Sequence, residues 1–155
     1  MKSRVAMGTL ALMFSLLFVV ANVAAQKVLS PPSEADQANA VGSLRSINTA
    51  EVFYYKQYKK GFSPLVSLGV PPDGTKPSAS AAGLLDNSLT SGKKNSYVFT
   101  YEAGRADATG KITAYTVSAR PAKWQSGVQS FFTDQTAIIR GTNENRAATA
   151  SDPAL

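Results

Sequence analysis

The sequence predicts an α+β domain in which a long N-terminal helix packs against an antiparallel β-meander. Three observations carry that expectation. The stretch Glu34–Tyr58 has helix caps at both ends and apolar residues at helical spacing. After it the composition turns β-branched and aromatic, with apolar and polar residues alternating. Clusters of turn residues then cut that second part into short pieces, as a meander requires.

Ahead of the domain, Lys2 and Arg4 precede an uncharged apolar run over 5–21 that ends in Asn22-Val23-Ala24-Ala25. A basic lead, an apolar middle and small residues at the end predict a signal peptide over 1–25, cut after Ala25 to leave Gln26 first. The protein is therefore expected in the periplasm or the medium. A retained membrane helix is the alternative, because residues 5–25 are long enough to span a bilayer; contact with a membrane is expected only in that case. Removing 25 of the 155 residues leaves 130, a length that suits one domain with one core.

Residues 26–32 read as a linker ending in Pro31-Pro32, and Ser33 is a natural helix N-cap with Glu34 and Asp36 in the first turn. Lys56, Lys59 and Lys60 gather at the far end before Gly61, the expected glycine cap. At about 1.5 Å per residue the helix would be nearly 40 Å long. Its core side is expected to carry Ala40, Leu44, Ile47, Tyr54, Tyr55 and Tyr58, with Val41 and Val52 at the edge and Ser43, Thr49, Phe53 and Gln57 facing away. Glu51 falls near the middle of the apolar side, where a buried carboxylate needs a partner; a strand arginine such as Arg120 or Arg140 is the expected one.

Residues 62–77, rich in Pro and Gly, predict an extended loop, and 79–89 a short helix around Leu84 and Leu85. Residues 92–95 predict a turn. Strands are expected at 97–102, 112–119, 130–133 and 137–140, with Asp134-Gln135-Thr136 closing a hairpin between the last two. The globular domain would thus occupy 33–141, and the polar segment 142–155 would be a flexible tail.

Composition narrows the chemistry. With no cysteine, this exported chain must be held by packing without disulfides. With no histidine, it lacks the commonest general base near neutral pH and the usual zinc or copper ligand. The net charge is +6, and loss of Lys2 and Arg4 leaves 14 basic against 10 acidic residues, too small an excess to name a polyanionic partner.

The run Asn39-Ala40-Val41-Gly42-Ser43-Leu44-Arg45-Ser46-Ile47-Asn48-Thr49-Ala50-Glu51 resembles the helical segment just beyond the membrane-spanning part of bacterial type IV pilin-like and type II secretion pseudopilin proteins. Gly61-Phe62-Ser63-Pro64, Ala82-Gly83-Leu84-Leu85-Asp86, Tyr97-Val98-Phe99-Thr100-Tyr101 and Phe132-Thr133-Asp134-Gln135 follow in the order of that group, so the likeness spans 39–140. The prepilin processing motif, a glycine followed by Phe-Thr-Leu-Ile-Glu or similar, is missing: Gly8 precedes Thr9-Leu10-Ala11, and no acid lies in the apolar run. The resemblance implies a pilin-like head released by an ordinary signal peptidase. It implies a non-enzymatic structural or accessory part of a type IV pilus or type II secretion type system. Its partners would be other pilin-like or secretion-system proteins, or a second copy.

Several residues merit weighing as sites. Phe53, Tyr54, Tyr55, Lys56, Tyr58, Lys59 and Lys60 interleave aromatics with lysines, the chemistry that stacks bases and contacts phosphates in single-strand binders. Core packing and helix-end complementarity account for the same residues. An exported binding module for nucleic acid or polysaccharide using this patch is the alternative function. Trp124 sits in a strand connection after Pro121, either capping the core or anchoring a partner or sugar. Ser91 and Lys94 form a Ser-x-x-Lys pattern without the companion motifs of the hydrolases that use it, so no catalytic residue is expected. Asp73, Asp86, Glu102, Asp107, Asp134 and Glu144 are scattered; although some pseudopilins hold calcium in C-terminal loops, Asp134 reads as a turn former, and neither metal nor cofactor is expected.

Overall fold

Ser33 opens the long helix α1 (Glu34–Tyr58) with a reciprocal cap: its Oγ accepts the Asp36 N–H at 3.1 Å, and the Asp36 carboxylate accepts the Ser33 N–H at 3.0 Å. In this computed structural model, which describes residues 30–155, the helix bounds agree with the sequence expectation. The signal peptide and residues 26–29 of the linker lie outside the described residues. At the far end the expected cap is displaced. Lys59, in the left-handed conformation at φ 55°, closes the helix by donating its N–H to the Tyr55 carbonyl at 3.1 Å. Gly61, at φ +90°, instead bridges to Ile112, and an added Cβ would strike the Ile112 backbone.

Five strands follow: β1 (Lys93–Lys94), β2 (Tyr97–Ala103), β3 (Tyr115–Pro121), β4 (Ser130–Asp134) and β5 (Arg140–Thr142). They lie in sequence order, each antiparallel to the next, which is the meander expected. The predicted turn at 92–95 contains β1 instead, because Asn95 and Ser96 both take positive φ (47° and 64°) and make a two-residue hairpin. All four expected strands shift or lengthen: β2 runs to Ala103, β3 spans Tyr115–Pro121 rather than 112–119, β4 runs to Asp134, and β5 starts at Arg140 rather than 137. Ala137 at φ 61° and the Asp134 carboxylate, which accepts the Thr136 N–H at 2.8 Å, extend the last turn and delay β5. In place of a helix over 79–89 there is only α2 (Asn87–Thr90), capped by Asp86. Leu84 and Leu85 precede it, both donating to the Leu68 carbonyl, and Leu68 ends a 3-10 turn at Leu65–Leu68.

The core lies between α1 and one sheet face. Ala40, Leu44, Ile47, Ala50 and Tyr54 of the helix meet Tyr97 and Phe99 of β2, Tyr115, Val117 and Ala119 of β3, and Phe131 of β4. Leu65, Leu68, Ala82 and Leu85 add a second cover over the helix. Covered by both sheet and loop, the helix buries a wider arc than a single stripe, and Ser43, expected outside, is buried. Tyr55, expected inside, is 39% exposed, with its ring 5.2 Å from Phe62.

The segment 142–155 is not the flexible tail expected. Asp152 accepts the Arg146 guanidinium at 2.6 and 2.8 Å and the Thr149 N–H at 2.7 Å. Its neighbours pair with the sheet edge, Gly141 N–H with the Pro153 carbonyl and Leu155 N–H with that of Ile139. Charge and backbone pairing hold this segment, so its sequence shows no apolar period.

Candidate functional site

The aromatic and lysine run at the end of α1 is divided by the helix. Tyr54 points inward, 5% exposed, its hydroxyl donating to the Ala79 carbonyl at 2.8 Å and its ring 4.8 Å from that of Tyr58. Tyr58 is half-buried and packs on the core. Phe53 at 58% and Tyr55 at 39% face solvent together with Lys56, Lys59 and Lys60, none of which forms an ion pair among the described residues. Two rings of the predicted patch are thus structural, and two rings with three lysines remain at the surface.

Beside that surface, Arg45, Thr49, Ala50 and Phe53 of α1 face Gly83 and Leu84 across an open groove of about 470 Å³. Gly83 and Leu84 donate their N–H groups to the carbonyls of Gly69 and Leu68, which ties the groove wall to the loop bearing Val66 and Val70. Those two side chains are 71% and 55% exposed, and Val52 on the helix is 46% exposed. Exposed aliphatic and aromatic side chains on a rigid helix and a hydrogen-bonded loop are what a protein-docking surface needs.

Trp124 belongs elsewhere. It is half-buried in a separate groove of about 500 Å³ with Val98, Thr100 and Arg120, on the sheet face opposite the inward Tyr97 and Phe99. Its indole Nε1 is buried without a partner. The sequence does not separate these two surfaces, because strand alternation assigns faces only once the register is known.

Glu51 is the electrostatic centre of the interior. It is 0% exposed, and one oxygen, Oε2, accepts the Ser63 N–H at 3.0 Å. The expected arginine is not there. Arg120 donates to Asn145 at 3.1 Å and Arg140 to the Asp152 carbonyl at 2.9 Å, both across the sheet or at its edge. The Tyr101 hydroxyl faces Glu51 without a hydrogen bond of good geometry, so Glu51 Oε1 and Tyr101 Oη are both buried and unpartnered. Burial without a cation pushes the carboxyl up to about 7, against the smaller opposing pull of the Ser63 N–H and the Tyr101 hydroxyl. Burial likewise pushes the Tyr101 and Tyr115 hydroxyls up, and the nearby Glu51 charge adds to both.

One turn before Glu51, Asn48 completes a buried network that sequence reasoning missed. Its Oδ1 accepts the Tyr115 hydroxyl at 2.8 Å, and its Nδ2 donates to Thr133 Oγ1 at 2.9 Å. Tyr115 in turn stacks on Tyr101 at 5.6 Å and 9°. Two polar residues three apart on the apolar stripe, Asn48 and Glu51, were the available signal.

Ser91 and Lys94 do not meet: Ser91 Oγ donates to the Ser88 carbonyl at 2.7 Å, and Lys94 Nζ pairs with Asp86 at 2.6 Å. Asp134 turns to Thr136 and Asp107 to Thr109 and Lys111. Among the described residues no group of three His, Cys, Asp or Glu side chains could hold a metal ion. Among the same residues no helix is long and apolar enough to cross a membrane. In comparisons with known proteins, no family model, no curated protein and no solved structure matches the chain.

Proposed function

We propose that this chain is an exported pilin-like head, a structural or accessory component of a type IV pilus or type II secretion type system that works by protein contact. The observation that carries this reading is the exposure of Val52 and Phe53 on α1, where Phe53 lines the groove walled by Gly83 and Leu84, together with exposed Val66 and Val70 on the loop that holds that wall. A long helix against a five-stranded antiparallel meander is compatible with such a head. Pilin-like or secretion-system proteins, or a second copy, are the partners proposed. The decisive experiment is mass spectrometry of the mature N-terminus in fractionated cells, paired with photocrosslinking from position 53. A start at Gln26 with crosslinks to a pilin-like protein supports the reading. A retained apolar segment in sheared filaments makes the chain a filament subunit, and absence of any protein crosslink defeats the reading.

The alternative is an exported binding module for nucleic acid or polysaccharide, favoured by one observation: Phe53, Tyr55, Lys56, Lys59 and Lys60 stay exposed, and the lysines are free of ion pairs among the described residues. Single-stranded DNA binding that weakens with salt and disappears in the triple lysine-to-alanine variant supports it. No binding at low salt removes it.

A further inference from the structure

Glu51 joins three parts of the fold. It stands on α1, takes the Ser63 N–H from the segment that leaves the helix, and faces the Tyr101 hydroxyl of β2. From β3 the Tyr115 hydroxyl is the titratable group near it, and that hydroxyl is already committed to Asn48. Among the described residues no lysine or arginine forms an ion pair with Glu51. The carboxyl therefore sits in a polar joint built from neutral groups, with Oε1 and Tyr101 Oη left without partners.

Such a joint suits a neutral acid. A protonated Glu51 needs no counter-ion in this joint, and its Oε2 continues to accept from Ser63. An ionised Glu51 is a buried charge with no counter-ion, a state that folded proteins relieve by pairing, protonation or opening. We infer that Glu51 is a proton-operated latch, closing the segment 61–63 onto α1 and β2 when neutral and loosening it when ionised, with the proton passing to solvent.

The segment it would release is placed to transmit the change. Phe62 lies between two rings, 5.2 Å from Tyr55 and 4.8 Å from Tyr115, and its N–H is held by the Ile112 carbonyl at 2.8 Å. Tyr55 is part of the exposed helix-end surface. Opening at Ser63 thus frees Phe62 and alters the seat of Tyr55, coupling the protonation of an interior acid to an outer contact surface. This coupling is independent of which partner that surface takes.

The test is a pH titration of the purified protein by carboxyl carbon-13 NMR with amide hydrogen exchange read at Phe62, Ser63 and Val117. The Glu51 carboxyl is expected to titrate near 7. After correction for intrinsic exchange, protection of Ser63 and Phe62 is expected to fall about tenfold from pH 6 to pH 8.5, always below that of Val117, which reports global unfolding. In Glu51→Gln the pH dependence disappears. In Tyr101→Phe, which keeps the ring on Tyr115 and should fold even where the first variant does not, the midpoint rises because a group favouring the carboxylate is gone. A Glu51 carboxyl titrating near the ordinary 4.5, pH dependence persisting in Glu51→Gln, an unmoved midpoint in Tyr101→Phe, or Ser63 exchanging only with Val117 would each overturn the latch.

Discussion

Glutamate side chains in water are ionised at neutral pH, and a helix that buries one must hold it neutral, pair it or lose stability. Glu51 has no pairing cation, so its effect on stability depends on pH with a definite sign. Its carboxyl is raised to about 7 in the fold against an ordinary 4.5, so between those values the folded state keeps a proton that the unfolded chain has released. Stability is then full below about pH 4.5, falls as pH rises and levels off above about 7, losing on the order of 3 kcal/mol from this group. Glu51→Gln should remove that slope and melt higher than the parent at pH 8; urea denaturation at pH 5 and pH 8 checks both. Asn48 acts in the opposite sense, as a fully used polar group. Asn48→Ala leaves the Tyr115 hydroxyl without its acceptor and Thr133 without its donor, and should cost roughly 3 kcal/mol at any pH between 5 and 8, read from the same denaturation curves.

At the scale of elements, what was legible followed from local chemistry and what was not came from register and packing. Helix α1 could be read to its ends because Ser33 and Asp36 form the cap within four residues. The order of strands was legible from the alternation of Tyr97, Phe99 and Tyr101, yet β1 was hidden, since the positive φ of Asn95 and Ser96 shows itself only in the folded chain. Glu51 could be picked out as an anomaly from its position on the stripe, whereas its true neighbours, Ser63 and Tyr101, come from a loop and a strand that no period connects to it. The joint after α1 shows the same limit. Gly61 read as a helix cap, but its glycine is required by backbone-to-backbone contact with Ile112 at positive φ. Gly61→Ala therefore combines left-handed strain with a steric clash that only backbone movement can relieve. We expect a loss of roughly 3 kcal/mol in urea denaturation, with exchange of the Phe62 amide rising first because its acceptor is the same Ile112.

For the whole molecule, the distribution of apolar side chains separates stability from contact. With no cysteine, the domain rests on the core between α1 and the sheet, and Leu44, Ile47 and Val117 there are fully enclosed. Val52, Phe53, Val66 and Val70 contribute little to that core, being 46–71% exposed. A side chain that remains in water when the chain folds gains little from folding, so these four can serve the proposed contact surface without weakening the core. Phe53→Asp tests this division. On a helix face already in solvent, the substitution should change unfolding free energy by less than about 1 kcal/mol, because neither a cavity nor a buried charge is created. Contact is expected to respond much more strongly. A carboxylate at the centre of an apolar interface must be desolvated on docking, so association with the protein captured by position 53 should weaken at least about tenfold, as a hot-spot aromatic does when truncated. A parallel Gln57→Asp variant adds the same charge on the same exposed side of the helix, away from the groove lining, and should leave association nearly unchanged. Equal weakening by both substitutions would assign the effect to net charge, and then the lysines at the helix end, rather than Phe53, would be the contact that matters.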